Sequence, residues 1–352
     1  FQFFSIGFIS SLAGAALFRN ARKRLHSMKA AIGIAASVVA VQLLFLVKNQ
    51  IPLSFLDNIA LLALLNGFVA TTLAFAVLPL LDFLFGITTD ITLLELSDLN
   101  HPLLKRLQLE APGTYHHSLM VATLAEQAAD AIHANPLLAR VCAYFHDIGK
   151  LSQPQYFTEN IQFGSGTPHD NLQPRMSSLV ILNHVKEGLA LAERYKLRKV
   201  IREAISEHHG TSLISFFYHR AKDQQTAAKN ERSLEARDYR YPGPPPTRKE
   251  IALIGIADAC EAASRSLEKP TPQKVEALVN EIISKKITDG QLDNANLTFR
   301  ELNAAKRAMI KALTNMYHGR IAYPKEGKDE DQADKPLPKR ENREQNRTGE
   351  TS

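Results

Sequence analysis

The pattern of apolar and polar positions divides the chain abruptly near residue 85. The first part is almost entirely apolar, whereas the remainder mixes apolar and charged positions. Three apolar runs, at 1–18, 30–47 and 58–85, predict membrane helices. The run at 30–47 carries no charge, and as a helix it would span about 27 Å, just enough for the hydrocarbon core. A buried hairpin is the alternative, but three runs with short polar links favour a membrane.

The links between these runs predict the orientation. The first link is crowded with basic side chains and has no acidic one; its basic residues are Arg19, Arg22, Lys23, Arg24 and Lys29. The second link, 48–57, has one Lys and one Asp. The positive-inside rule places the first link in the cytoplasm, and the third helix then returns the chain there. We therefore expect everything after Gly86 to be cytoplasmic.

The chain begins at Phe1, without Met and inside an apolar run. We interpret it as a fragment that lacks its natural N-terminus. Residues 1–86 would then be the last three transmembrane helices of a multi-pass protein.

The part after the membrane runs is predicted to be helical. Residues 87–110 have the mixed composition of a connector, and apolar positions recur at helical spacing over 111–324. Because strand-like alternation is nearly absent, the fold class is all-α, with transmembrane helices followed by a helical bundle. A polar loop is expected at 221–248, which ends in a Pro-rich stretch. The tail, 325–352, has too few apolar residues to fold and is expected to be disordered.

Composition excludes several classes of protein. Two cysteines, Cys142 and Cys260, give no disulfide framework, which suits a reducing compartment. The net charge is +6, and the first link alone has five basic residues and no acidic one. Since basic and aromatic residues are not interleaved, a nucleic-acid polymer is not an expected partner.

Five features in the helical part carry side chains that bind metal ions. They are His117, the pair His146 and Asp147, His184, the pair His208 and His209, and Asp258. A lone histidine on a helix is usually a core or surface residue. Here each group lies on the apolar face of its own helix, as His117 does in line with Val121 and Leu124. Burying such groups costs several kcal/mol each unless they are paired or coordinated, so a shared metal centre is the economical interpretation.

The residue types restrict the chemistry of that centre. Imidazoles and carboxylates without thiolates suit Mn, Fe, Co or Ni, with Zn acceptable. Because this is too many ligands for one catalytic ion with an open position, we expect two divalent ions. Asp147 would bridge them, since a carboxylate has two oxygens to share. Lys150, three residues further on, would place a cation against a phosphate oxygen, or it is a solvated lysine at a helix end.

Several motifs together indicate a resemblance to a known family. They are ELSDLNHPLLKRLQLEAPGTYHHS, HDIGK, NHV, EHHGTSL, YRYPGPPP, ADACEAASR and TDGQLDNANLT with its trailing YHGRIAYP. This combination resembles the HD-domain phosphohydrolase superfamily, and more closely the seven-transmembrane HD family of bacterial cyclic di-AMP phosphodiesterases. The resemblance covers most of residues 90–324, and it implies a bacterial cell membrane with the HD domain on the cytoplasmic side.

The resemblance also implies a ligand set for each ion. The first ion would be held by His117, His146, Asp147 and Asp258, and the second by Asp147, His184, His208 and His209. Either His116 or His117 fits the HHS motif. We choose His117 because it precedes Ser118 and shares a face with Val121.

Three further residues are candidates for contacting the substrate. His169 belongs to a second HD dipeptide, but it lies in a Gly- and Pro-rich loop. Arg240 and Tyr241 precede the Pro run and offer a guanidinium for phosphate and an aromatic face for a purine. The alternative is that these residues only hold their loops in place.

The expected function is hydrolysis of cyclic di-AMP to the linear dinucleotide. A metal-bridging hydroxide would attack the phosphorus in line, with Mn or Fe as the ions and Asp147 and Lys150 as the catalytic residues. One alternative keeps this chemistry for cyclic di-GMP or another nucleotide, although no GYP triplet follows HDIGK. The other is a membrane transducer that binds a nucleotide without cleaving it. The lipid bilayer is an expected partner, and the oligomeric state stays open.

Overall fold

The computed structural model describes most of the chain. The described residues are 2–18, 24–50, 52, 56–86, 88–161, 166–227, 234–268 and 270–318. In these ranges the chain forms α-helices and short 3₁₀ turns, without any named strand. Leu213 and Arg240 make an isolated antiparallel bridge. The predicted all-α fold is therefore confirmed.

The N-terminal part folds into three consecutive helices, each packed on the next. These are α1 (Gln2–Phe18), α2 (Arg24–Lys48) and α3 (Leu56–Phe85). Large apolar side chains such as Phe4 and Leu61 are largely exposed on them, which is typical of a surface that faces another apolar phase.

One stretch among the described residues is long and apolar enough to cross a membrane, Met28–Lys48. The apolar stretches Phe4–Leu17 and Asn58–Ala74 are shorter. The second predicted run is thus the strongest membrane candidate, and three membrane crossings stay a prediction.

The segment expected to be a connector contributes to the core of the bundle. It forms α4 (Asp90–Leu96) and α5 (Pro102–Glu110). Leu103, Leu104 and Leu107 of α5 are completely buried, because their spacing places all three on one face of the helix. This face packs on the helix that carries the first candidate ligand and on the turn after the HD pair.

Eight further helices of the bundle lie in the part of the chain that the structure describes. They are α6 (Pro112–Ala131), α7 (Pro136–Phe145), α8 (Pro174–Arg194), α9 (Lys199–Glu207), α10 (Ser215–Ala227), α11 (Lys249–Ser264), α12 (Pro272–Thr288) and α13 (Phe299–His318). Helix α6 contacts α7, α11 and α13. Its buried alanines, such as Ala125 and Ala128, allow the neighbouring helices to approach closely. Proline is the first residue of several of these helices because the first helical N–H needs no acceptor within the helix.

The structure corrects the predicted polar loop at 221–248. Helix α10 continues to Ala227, although Phe217 is its only buried residue. A helix with such a small apolar face has no amphipathic pattern for sequence analysis to detect. Residues 228–233 and the tail 325–352 lie outside the described residues, as do Arg19, Arg22 and Lys23 of the first link.

Candidate metal centre

Imidazoles and carboxylates from five parts of the bundle converge on one point. Two groups form there, and within each group one ligand atom per residue lies within 4.8 Å of the others. The first set is His117, His146, Asp147 and Asp258, and the second set is Asp147, His184, His208 and His209. The structure therefore brings together all seven positions named from the sequence, in the two groups that the resemblance implies.

Asp147 lies between the two sets, and each of its oxygens faces a different one. Its Oδ2 is 3.1 Å from His146 Nε2 and 3.5 Å from His117 Nε2. Its Oδ1 is 3.4 Å from His184 Nε2 and 3.8 Å from His208 Nε2. This is the arrangement that a bridging carboxylate requires.

Asp258 lies close to one histidine of each set. Its Oδ1 is 3.0 Å from His117 Nε2, and its Oδ2 is 3.5 Å from His209 Nδ1. Side chains that lie far apart in the sequence thus face one another across a space with the dimensions of a metal site.

Buried polar atoms without hydrogen bonds test whether these residues fit metal ions. Among the described residues, Asp147 Oδ1 and the Nε2 atoms of His146, His184 and His208 are such atoms. Leaving them without partners would cost free energy. Coordination by divalent cations satisfies all of them at once, so the residues fit the ions that the ligand types suggest.

The other ring nitrogens fix how these imidazoles are presented. Nδ1 of His146 donates to the carbonyl of Ala143 at 2.7 Å, and Nδ1 of His184 donates to that of Ile181 at 2.6 Å. His208 Nδ1 lies 3.0 Å from the carbonyl of Ala204. Because a carbonyl only accepts, the proton is on Nδ1 and the lone pair of Nε2 faces Asp147.

The protonation states also suit metal binding. Burial lowers the pKa of His184 and His209, and it lowers the pKa of His208 to about 3. The pKa of the Asp147 carboxyl is well below its usual range, because His146, Lys150 and His117 together outweigh the opposing effect of burial. Neutral imidazoles and an ionised carboxylate are the forms that coordinate a cation.

His117 has a different environment from the other histidines. Its Nδ1 lies 2.5 Å from Glu261 Oε2, and the other oxygen of Glu261 accepts from Arg265 at 2.9 Å. Burial lowers the pKa of His117, but Asp147, Asp258 and Glu261 outweigh it and raise the pKa well above the ordinary value. Sequence analysis missed Glu261 and Arg265, although they follow Asp258 by three and seven residues and so share its helix face.

Lys150 is held inside the centre by two carboxylates. Its Nζ is 2.8 Å from Asp147 Oδ2 and 2.7 Å from Glu159 Oε1. These carboxylates raise the pKa of Lys150 against the effect of burial. The interpretation as a solvated lysine at a helix end therefore does not hold. Glu159, which also accepts from Thr114 at 3.0 Å, was not found from the sequence.

Two glycines allow the ligand-bearing segments to touch through their backbones. A Cβ at Gly149, in the 3₁₀ turn Ile148–Ser152 after the HD pair, would lie 1.8 Å from the carbonyl oxygen of His184. A Cβ at Gly255, one turn before Asp258 on α11, would lie 2.1 Å from the carbonyl oxygen of His208. Only glycine permits both contacts.

Arg240 and Tyr241, two of the candidates for substrate contact, line a cleft of about 780 Å³ that reaches His209 and Asp258. The guanidinium of Arg240 forms a two-point ion pair with Asp289, at 2.8 and 3.1 Å. The ring of Tyr241 stacks on His209 with centroids 4.1 Å apart. The third candidate, His169, is buried between Tyr156 and Phe217, and its Nε2 donates to the carbonyl of Tyr156 at 2.9 Å. Their role in substrate binding stays a prediction.

Two families match separate parts of this chain. Residues 1–89 match the family described as 7TM receptor with intracellular HD hydrolase, and residues 114–263 match the HD domain family. The curated relatives include the cyclic-di-AMP phosphodiesterase PgpH of Bacillus subtilis, which is 40% identical over 90% of this chain and 44% of its own length. PgpH of Listeria monocytogenes is 42% identical over 82% of this chain and 39% of its own length. The chain therefore spans less than half the length of these relatives.

Solved structures resemble the helical bundle. The crystal structure of the Listeria monocytogenes PgpH HD domain in complex with cyclic-di-AMP aligns with a TM-score of 0.59 at 42% sequence identity. The match covers 63% of this chain and 100% of that domain. The resemblance first indicated by the motifs is thus confirmed, and the chain belongs to the HD-domain family.

Proposed function

We propose that this chain is a membrane-anchored phosphodiesterase that uses two divalent cations to hydrolyse cyclic di-AMP to the linear dinucleotide. The observation that carries this proposal is Asp147, whose two oxygens face two separate groups of buried imidazoles. The PgpH relatives, and the complex of one HD domain with cyclic-di-AMP, support the choice of substrate.

The two ligand sets would each hold one ion, with Mn or Fe as the preferred metals. Such ions, when bound, lower the pKa of a water molecule and neutralise charge on the phosphate. The residues of the chain provide the rest of the chemistry. His146, His184 and His208 present fixed Nε2 lone pairs, and Asp147 stays ionised because its pKa is lowered.

Lys150 would assist the reaction from its position beside Asp147. Its ammonium is 2.8 Å from Asp147 Oδ2, so a phosphate bound at the centre would lie close to a positive charge. Glu159 holds that ammonium from the other side at 2.7 Å. Because its pKa is raised, Lys150 stays protonated. Its positive charge would then stabilise the negative charge of the phosphate.

The membrane part of the proposal has three crossings and a cytoplasmic HD domain. It rests on the apolar helices α1–α3, on the positive link between the first two, and on the family match over residues 1–89. The orientation can be tested by placing single cysteines in the two links of the chain and labelling them in intact cells. Cysteines in the second link should react with an impermeant reagent, and those in the first should not.

The enzymatic proposal is tested on the purified full chain in detergent. The protein is loaded with Mn²⁺, its metal content is measured, and cyclic di-AMP, cyclic di-GMP and a guanosine polyphosphate are each followed by chromatography. We expect turnover of cyclic di-AMP to its linear product. A protein that holds two ions but leaves cyclic di-AMP intact would contradict the proposal. Faster cleavage of another nucleotide would transfer the same chemistry to that substrate, and binding without cleavage would favour a transducer.

A further inference from the structure

The cleft beside the second set has three positively charged side chains in its wall. It lies between α11, α12 and the loop that carries Arg240, and it reaches the candidate ligands His209 and Asp258. Its volume of about 780 Å³ falls within the range of small-molecule sites. The three cations are Arg240, Lys285 and Lys286.

Two of these cations are already neutralised within the chain. Arg240 forms its two-point ion pair with Asp289, which also accepts from Gln291 at 2.9 Å. Lys285 pairs with Glu281 on the exposed face of α12. Neither charge is free to compensate a bound anion without breaking an existing pair.

Lys286 differs from these two because it forms no hydrogen bond or ion pair with the residues that the structure describes. It is half-buried on α12, and its Nζ would lie 3.6 Å from a Cβ placed on Gly255. Gly255 precedes Asp258 by three residues on α11, so the ammonium lies about one helical turn along α11 from a first-set ligand.

Burial supports the view that this ammonium needs an anion. It lowers the pKa of Lys286, although the charges of Asp258 and Asp289 act in the opposite direction. A desolvated cation with no paired carboxylate is costly, and an incoming phosphate would remove that cost.

We infer that Lys286 binds the phosphate that is not being cleaved when a cyclic dinucleotide occupies the metal centre. This inference rests on the proposed function. A cyclic dinucleotide has two phosphodiesters on opposite sides of one ring, and the ions hold only one of them. Lys286 lies about one helical turn along α11 from the candidate ligand Asp258, in the wall of the cleft that both residues line. It thus selects substrates that have a second phosphate.

The test compares two substrates on the Mn²⁺-loaded full chain. Cyclic di-AMP has two phosphates, whereas bis(p-nitrophenyl) phosphate has one. We expect Lys286→Gln to raise the KM for cyclic di-AMP by about ten- to hundredfold, the value of a charged hydrogen bond, with a small change in kcat. The change for bis(p-nitrophenyl) phosphate should be at least about tenfold smaller.

The matched control is Lys285→Gln, which removes the neighbouring cation of the same cleft and should change neither KM by more than about twofold. Thermal unfolding of both variants checks that the bundle is intact. An equal loss on both substrates would mean that Lys286 acts on the metals through Asp258, and this result overturns the inference, as does the absence of any change. If the unaltered chain cleaves bis(p-nitrophenyl) phosphate but not cyclic di-AMP, the proposed function itself fails and the inference fails with it.

Discussion

The two ligand sets share Asp147 but are built in different ways. In the first set, His117 is backed by the carboxylate of Glu261, and Asp258 adds a second negative ligand. In the second set, His184 and His208 are backed only by main-chain carbonyls, and Asp147 is the only carboxylate. The first set is therefore more strongly negative than the second.

This difference predicts unequal affinities for divalent cations. More anionic ligands and a carboxylate behind an imidazole strengthen binding, whereas neutral imidazoles that donate to main-chain carbonyls bind less strongly. We expect the first set to retain its ion when the second set has lost its own. The predictions below test this asymmetry, from the largest expected effect to the smallest.

Asp147→Ala removes the only residue that both sets share. We expect both ions to be lost and the hydrolysis of cyclic di-AMP to fall at least about a thousandfold, or about 4 kcal/mol of transition-state stabilisation. Elemental analysis and product chromatography on one preparation measure both effects. Asp170→Ala is the matched control because it alters the other HD dipeptide, where Asp170 caps a turn. Retention of both ions by Asp147→Ala would refute the bridging role.

Glu261→Gln tests the backing of the first set alone. We expect the affinity of one ion to fall about 10- to 100-fold, as is typical when the carboxylate behind a ligating histidine is changed. The second ion should be affected much less. Competition with a chelator of known affinity measures the affinity of each ion. Glu281→Gln, on the exposed face of α12, serves as the control. An equal fall in the affinities of the two ions would show that the sets do not bind independently.

In the metal-free protein, the histidines of the two sets should change the free energy of unfolding in opposite directions as the pH falls. Burial lowers the pKa of His208 from 6.5 to about 3, so below about pH 6.5 the unfolded chain takes up a proton that the folded chain does not. Stability is then lost as the pH falls, by about 1.4 kcal/mol per pH unit for each such proton. His117 has a raised pKa, so its contribution is present at low pH and is lost as the pH rises through that value.

Thermal unfolding between pH 7.5 and 4.5 after chelation measures this effect. The double variant His208→Gln and His209→Gln should unfold with a flatter dependence on pH than the unaltered chain. His219→Gln, which changes an exposed histidine outside the centre, should not alter the slope. A slope that is unchanged in the double variant would mean that the second set does not control acid stability.

Tyr241→Leu should have the smallest effect of the four. The ring stacks on His209 at 4.1 Å, and such a contact contributes about 0.5–1.5 kcal/mol. We expect the affinity of the weaker ion to fall about two- to tenfold. Tyr241→Phe retains the stack and should leave that affinity near its original value. If both variants raise the KM for cyclic di-AMP without changing metal affinity, the ring contacts the substrate, as the sequence predicted.

His117, His184 and Asp258 were predictable because each stands on the apolar face of a helix. A charged group in that position is costly without a partner, so these three residues pointed to one another before the fold was known. The HD pair and the His208–His209 pair instead directly follow the ends of α7 and α9. The residues behind the ligands were not found in the same way. Glu159 and Glu261 become meaningful only when the fold brings them to Lys150 and His117, from 9 and 144 positions away in the chain.

The fold was predictable to a similar extent. Helices with a clear apolar face, such as α7 and α9, lie where the pattern places them, whereas α10 was interpreted as loop because it buries one side chain. The ion pair of Arg240 could not be predicted from the sequence either, because its partner Asp289 lies 49 positions away in the chain.

The main-chain contacts at Gly149 and Gly255 bear on the distance between the two ligand sets. The backbone after Asp147 lies against the carbonyl of His184, and α11 lies against the carbonyl of His208, so these segments touch through their main chains. The separation of the two ligand sets is thus set by main-chain packing as well as by side-chain rotamers. A redesign that aims to change the preferred metal would have to move whole helices, and exchanging the ligands alone would leave that main-chain packing unchanged.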